Sequence, residues 1–242
     1  MARAAIVTGA SRGIGAAIAR RLASDGCHVV VNYRSDESGA QAVQEDIAAA
    51  GGVACAFAAD VSRADDVSGL FKFAAREFGG VDILVNNAGA LIASPLAEVS
   101  DADYEKLVST NLDGAFLCMR EAARHLRDGG RIINVSTSTV ATNPVKLGVY
   151  TATKAAVETM TRILAKELGA RRITVNAVAP GAVRTELFRS QRSPEEARAI
   201  AAQIPLGRMG DPEDIAGVVA FLVSEDGGWV NGQIVRANGG RA

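Results

Sequence analysis

The sequence predicts an α/β fold: a Rossmann-like, doubly wound parallel sheet of about seven strands with helices on both faces. Three observations predict it. Short β-branched runs alternate with longer helix-compatible stretches from one end of the chain to the other, and strands separated by helices of that length imply right-handed crossovers in a parallel sheet. Of the 242 residues 48% are hydrophobic and 22% charged, enough apolar material for one large core. Twenty-five glycines beside few aromatics fit a fold with many tight strand-to-helix turns, and the hydrophobic fraction excludes disorder.

Taken in order, β-branched runs place strands at 4–8, 28–33, 53–58, 83–86, 131–135, 174–178 and 234–236. Helix-compatible stretches fall between them at 14–24, 38–50, 64–78, 104–126, 149–168 and 212–224. No repeat, low-complexity tract or linker divides the chain, so residues 1–242 are expected to form a single domain. The one long interruption, 181–210, is rich in Arg, Ser, Pro and Glu. A stretch of that length inside a compact domain is usually functional, and a lid is expected at 186–205, with a short helix opened by Ser193 as N-cap and Pro194 at the first helical position.

Several function classes have little to build on. A formal net charge of -1 offers no basic surface for nucleic acid or for an anionic membrane. Cys27, Cys55 and Cys118 are widely separated and read as reduced residues of a cytosolic protein. With only His28 and His125, and no Cys-x-x-Cys or His-Glu-x-x-His spacing, no metal is expected, nor a serine–histidine–aspartate triad. The chain enters its first strand directly after Met-Ala-Arg, leaving no room for a cleavable leader. No apolar run nears the ~20 residues that span a bilayer. A cytoplasmic protein without a membrane partner is expected.

The chemistry-bearing residues gather at one end of the expected sheet. Thr8-Gly-Ala-Ser-Arg-Gly-Ile-Gly15 follows the first strand and opens a helix. Glycines at 9, 13 and 15 permit a tight turn and close backbone approach, and the helix N-terminus offers N–H groups to a pyrophosphate. In an alternating α/β chain the first crossover normally carries a dinucleotide. About 20 residues further on, where an acidic residue would favour NAD, the chain has Val31-Asn-Tyr-Arg34, with no carboxylate until Asp36. Arg34 and Arg12 can instead clamp a 2′-phosphate, which favours NADPH. Asp60 stands at the exit of the third strand, suited to an adenine amino group, and Asn86-Asn-Ala-Gly89 follows the fourth, where small Ala88 and Gly89 let the backbone approach a cofactor. Tyr150 and Lys154, four residues apart, share one helical face. An ammonium there can lower a phenol that ordinarily titrates near ~10.

In this order, Thr8-Gly-x-x-x-Gly-x-Gly15, Asp60-Val61, Asn86-Asn-Ala-Gly89, Asn111, the hydroxyl cluster at 136–139, Tyr150-x-x-x-Lys154 and Pro180-Gly181, the chain resembles the short-chain dehydrogenases/reductases over essentially its whole length. The resemblance implies Tyr150 as general acid/base and Lys154 as the cation that tunes it and holds the nicotinamide ribose. It implies Asn111 as the anchor of a water feeding protons to Lys154. The hydroxyl that bonds the substrate carbonyl falls by count on Thr137, but the small Ala141 three residues after Ser138 favours Ser138; both stay open. Cofactor contacts are implied at Gly9, Ser11, Arg12, Gly13, Ile14, Gly15, Arg34, Asp60, Val61, Asn87, Ala88 and Gly89, at Tyr150 and Lys154, and at Pro180, Gly181, Val183 and Thr185.

By resemblance the expected activity is NADPH-dependent reduction of a ketone, closest to 3-oxoacyl-acyl-carrier-protein reductases and similar small-ketone reductases, in a homotetramer. Arg124, Arg127, Arg131, Arg171 and Arg172 are a candidate docking surface for an acidic carrier protein, with solvated helix ends as the plainer reading. An NAD-dependent alcohol, sugar or steroid dehydrogenase and a non-catalytic dinucleotide sensor are the alternatives.

Overall fold

The computed structural model describes residues 2–189 and 193–242. Seven parallel strands form one sheet: β1 (Ala4–Val7), β2 (His28–Tyr33), β3 (Val53–Ala58), β4 (Val81–Asn86), β5 (Leu126–Val135), β6 (Thr174–Pro180) and β7 (Ile234–Ala237). Their order across the sheet is β3-β2-β1-β4-β5-β6-β7, so the order in which strands are added across the sheet reverses between β1 and β4. In open α/β sheets ligands bind in the crevice outside the carboxyl ends of the strands at such a switch point.

Alternate residues of a strand face opposite sides, and this divides the core in two. Ala5 and Val7 of β1 pack with α1 (Gly13–Ser24), α2 (Glu37–Ala49) and α10 (Pro212–Val223) through Ile18, Leu22, Val43 and Val219. Ile6 faces the other way, toward α3 (Ala64–Phe78), α5 (Gly114–His125) and α7 (Gly148–Glu167), where Leu70, Phe71, Met119 and Ala165 lie. Each fully buried Val, Ile or Leu side chain contributes about 1.5–3 kcal/mol, which explains why strands buried on both faces read as unbroken apolar runs such as Val29-Val30-Val31. Cys27 and Cys118 are buried and Cys55 partly so, all three as free thiols.

The expected helix over 104–126 is divided. Its first part is α4 (Asp101–Val108), followed by a widened π-helical turn (Ser109–Asp113) and then α5. Such turns accommodate one extra residue and often mark functional positions. Gly114 follows at once, where a Cβ would come within 2.8 Å of Val61 Cγ2, so this corner admits no larger side chain. β5 begins five residues before the expected Arg131, because Leu126 already pairs with Val81 before a register irregularity near Ile83. After β5 comes the short α6 (Thr139–Thr142), and between β6 and α10 lie α8 (Glu186–Arg189) and α9 (Pro194–Ala202), the latter opening at the expected proline. Residues 190–192 of the expected lid lie outside the described residues. Among the described residues no helix is long and apolar enough to cross a membrane.

Candidate active site

The turn from β1 into α1 is braced from two neighbouring strands. Gly9 and Gly13 have φ of 60° and 57°, the left-handed region that glycine alone enters without strain, and a Cβ on Gly9 would lie 2.9 Å from Ala88 Cα. Asn87 Nδ2 donates to the carbonyls of both Thr8 and Gly9 at 2.9 Å, while Thr8 Oγ1 accepts the N–H groups of Asn87 and Ala88 at 3.0 Å. From β2, Asn32 Oδ1 accepts the Gly9 N–H at 3.3 Å. Asn87 therefore spends both amide hydrogens on the loop itself, and its side chain braces the turn. Thr8 and Asn32 were missed; the available signal was a polar residue interrupting an otherwise apolar, doubly covered strand.

At the start of α1 no side chain caps the helix and its first turn carries no acid. The contrast is with α2, α4 and α10, which begin with Asp36, Ser100 and the Asp211–Asp214 capping box. Ser11, Gly13 and Ile14 are partly accessible and the Arg12 side chain is exposed, whereas Gly15 is buried against the brace, where a Cβ would meet Asn87 Nδ2 at 2.5 Å. Uncapped N–H groups at the positive end of a helix dipole, in a loop too tight for side chains, fit the pyrophosphate of a dinucleotide.

At the adenosine end Arg34 and Asp60 come together. Arg34 leaves β2 with its Nη1 3.9 Å from Asp60 Oδ2, the side chain 57% exposed. Asp60 accepts both the N–H and the hydroxyl of Ser62, at 3.0 and 2.7 Å. Burial pushes its carboxyl upward, but the Ser62 hydrogen bonds and the nearby Arg34 and Arg63 charges outweigh that and hold its pKa low. Arg12 reaches across to Glu186 Oε2 at 3.6 Å, so the two arginines each have their own carboxylate partner. Asp36, the first carboxylate after β2, caps α2 by accepting the Gly39 N–H at 3.1 Å.

Tyr150 and Lys154 lie in the first two turns of α7. Burial raises the Tyr150 phenol, and a hydrogen bond with the Thr137 side chain opposes that rise without overcoming it. Lys154 is buried, with Nζ donating to the Val135 carbonyl at 2.8 Å, and desolvation lowers its pKa to about 8. The phenol is therefore raised on balance where the sequence reading expected Lys154 to lower it, and the ammonium is turned onto the end of β5. Ser138, favoured by the sequence reading, is buried and donates to the Ala179 carbonyl at 3.1 Å; the hydroxyl meeting Tyr150 belongs to Thr137. The cause is the turn leaving β5, where the Ser138 N–H is tied to the Pro180 carbonyl at 2.9 Å, so that Ser138 faces β6.

Asn111 sits in the π-helical turn, 1% exposed. Its Oδ1 accepts the Ala90 N–H at 2.7 Å, and its Nδ2 donates to the Ala90 carbonyl at 2.9 Å and to Thr153 Oγ1 at 3.4 Å. A Cβ on Gly89 would be 3.3 Å from Asn111 Oδ1 and 3.6 Å from Lys154 Nζ, so the loop after β4 and both side chains meet at one point. Val61, Ala88 and Lys154 wall a shared cavity of about 10 Å³ just below.

The segment after β6 closes the other side. Gly181 donates to the Ala237 carbonyl at 3.0 Å, Val183 bridges to Gly210, and a Cβ on Gly13 would lie 3.5 Å from Thr185 Cγ2, which puts Thr185 over the glycine turn. The carrier-docking arginines are elsewhere. Arg124 pairs with Glu121, Arg127 with Asp82 and Arg171 with Asp128, while Arg131 donates to the Gly129 carbonyl. They stand around the start of β5 and the turn before β6, at the amino ends of the strands. The regular part of β5, from Arg131 to Val135, lies between that edge and Ser136, about 17 Å at ~3.3 Å per residue. Paired in this way, they match the plainer reading of solvated, ion-paired ends of elements.

A family described as enoyl-(acyl carrier protein) reductase matches residues 9–242. A short-chain type dehydrogenase/reductase of Picea abies is 46% identical over 99% of this chain and 92% of its own length. A chloroplastic NADPH-dependent aldehyde reductase-like protein of Arabidopsis thaliana is 44% identical over 98% of this chain and 93% of its own. The crystal structure of a short-chain dehydrogenase from Burkholderia cenocepacia in complex with NADP superposes with a TM-score of 0.94 at 38% identity, covering 99% of this chain and 97% of that one. With its parallel sheet, its braced glycine turn and the Tyr150–Lys154 face, the chain belongs to the short-chain dehydrogenases/reductases, a family of oxidoreductases.

Proposed function

We propose that the protein reduces the ketone group of a small molecule to a secondary alcohol with NADPH, Tyr150 donating the proton. The observation that carries the reading is the convergence of a protonated phenol, a hydroxyl and a buried ammonium at the switch-point edge, beside an uncapped helix N-terminus. NADPH supplies the hydride when bound along this edge.

In this reading the backbone of the loop from Gly9 to Gly15 holds the pyrophosphate, Asp60 and Val61 flank the adenine, and Ala88 and Gly89 lie beneath the nicotinamide half. Pro180, Gly181, Val183 and Thr185 cover that half from above, and residues 186–205 are the substrate lid. Lys154, still largely protonated at neutral pH with a pKa of about 8, orients the nicotinamide ribose. Tyr150 keeps its proton at neutral pH because burial raises it, which is the state a general acid needs. Asn111 holds the loop after β4 in register with Lys154 through Ala90.

The hydroxyl that steadies the carbonyl oxygen is assigned to Thr137, on its hydrogen bond with Tyr150. Thr137→Ala is expected to lower kcat by about 10²-fold, the order seen when one donor to a developing oxyanion is lost, and Ser138→Ala by less. A larger loss from Ser138→Ala returns the role to Ser138.

NADPH over NADH rests on Arg34, exposed at the end of β2 with a weak 3.9 Å partner, on Arg12, and on Asp36 being occupied as a cap. Arg34→Asp is expected to shift the ratio of kcat/KM for NADPH and NADH by about tenfold or more toward NADH. An unchanged ratio contradicts the phosphate assignment. The homotetramer reading draws on apolar side chains left exposed on α5, α7 and α10 and before β7, namely Phe116, Ile163, Phe221 and Trp229.

A further inference from the structure

Leaving and returning chain meet where the excursion between β6 and α10 begins and ends. The Gly210 N–H donates to the Ala182 carbonyl and the Arg184 N–H to the Gly210 carbonyl, each at 2.9 Å. Outside this stitch, Arg184 grips Asp211 through Nε and Nη2 at 2.7 and 2.5 Å. Arg208 grips Asp214 through Nη1 and Nη2 at 2.6 and 2.8 Å, and its Nη1 lies 3.8 Å from Asp211 Oδ2, joining the pairs. Asp214 Oδ2 also accepts the Asp211 N–H at 2.7 Å. Both carboxylates are therefore fixed to the first turn of α10.

These are planar fork-to-fork contacts, which set direction as well as distance. Exposed pairs of this kind add little to global stability, and α10 is already anchored by Ile215, Val219 and Leu222, each at most 1% exposed. What the four side chains do constrain is the strap of residues 182–185 relative to α10. That strap carries Val183, buried beside Gly210, and Thr185, seated over Gly13.

We propose that Arg184, Asp211, Arg208 and Asp214 are positioning residues that hold the strap over the nicotinamide half of the dinucleotide without touching it. The inference rests on the NADPH reading above. It makes a separable statement: loosening the clamp weakens capture of the nicotinamide half and leaves the adenosine half unaffected.

The test compares binding of NADPH and of 2′,5′-ADP, which lacks the nicotinamide, to the full chain by titration calorimetry, with thermal midpoints recorded alongside. Arg184→Gln removes the fork; Asp211→Asn keeps the capping oxygen while removing the charge. For both variants Kd for NADPH is expected to rise about tenfold, the order of effect that small misplacements produce, with Kd for 2′,5′-ADP and the thermal midpoint unchanged. NADPH affinity that stays at the wild-type value, or affinities for both ligands that fall together, overturns the clamp alone. A wild-type protein that binds neither ligand overturns the NADPH reading and the clamp with it.

Discussion

Replacing Tyr150 with phenylalanine is expected to abolish nearly all carbonyl reduction while leaving dinucleotide affinity intact. The substitution removes one oxygen from a half-buried ring and leaves the ring's packing in place, so α7 and Lys154 stay where they are. What disappears is the proton donor at the substrate oxygen. A positioned general acid contributes about 10²–10⁴-fold, and kcat is expected to fall by that order with Kd for NADPH within about twofold of wild type. Thr137 loses its phenol partner, but its Oγ1 still accepts the Thr139 N–H at 3.2 Å, so the end of β5 keeps its shape. A Tyr150→Phe protein retaining most of its turnover would falsify the assignment.

Lys154→Met carries the second large effect, with separate signatures in catalysis and in stability. In catalysis the variant loses the cation that orients the ribose, so KM for NADPH rises and kcat falls together, by about 10²-fold in kcat/KM. In stability the sign follows from desolvation. The lysine's pKa drops from 10.5 to about 8 on folding, so below about 8 it is protonated in both states and the full cost of burying a charge is present. Between about 8 and 10.5 the unfolded chain holds the proton more firmly than the folded one, so wild-type stability rises with pH across that window. The relief is on the order of 3 kcal/mol. Methionine has no such cost, and its advantage over wild type is expected to shrink by that amount between pH 8 and 10.5, above a constant offset from the lost bond to Val135. Denaturant midpoints taken without added dinucleotide read this directly, and a gap that is flat with pH contradicts the buried ammonium.

Much of this architecture was legible because it is local. The alternation of β-branched and helix-compatible stretches gave seven strands close to their observed positions, and the glycine turn and the Tyr150–Lys154 spacing encode their geometry within one turn of chain. Three features were not legible in the same way. Thr137 and Ser138 differ by one residue at a turn, and which hydroxyl faces Tyr150 depends on the bond from Ser138 to Pro180, far away in sequence. The widened turn at Asn111 leaves no mark on a periodicity that continues helical through Ser109–Asp113; in the fold it holds the side chain that grips Ala90. The bracing roles of Thr8, Asn32 and Asn87 come from strand neighbours that only the sheet order brings together.

The arginines are a different case, since their placement was available. In a parallel sheet every strand runs toward the same edge, so residues preceding β5 and β6 must stand at the opposite edge from Tyr150, which follows β5. By that rule Arg124, Arg127 and Arg171 stand at the edge away from Tyr150 on sequence position alone.

The central claim, that Tyr150 protonates a carbonyl as NADPH reduces it, is tested most directly by following NADPH absorbance with purified protein across a panel of ketones and diketones, in wild type and Tyr150→Phe side by side. The predicted result is stoichiometric conversion of at least one ketone to its secondary alcohol by wild type, and near-complete loss in the variant. Tight NADPH binding with no oxidation on any ketone, or oxidation that Tyr150→Phe leaves untouched, would contradict it.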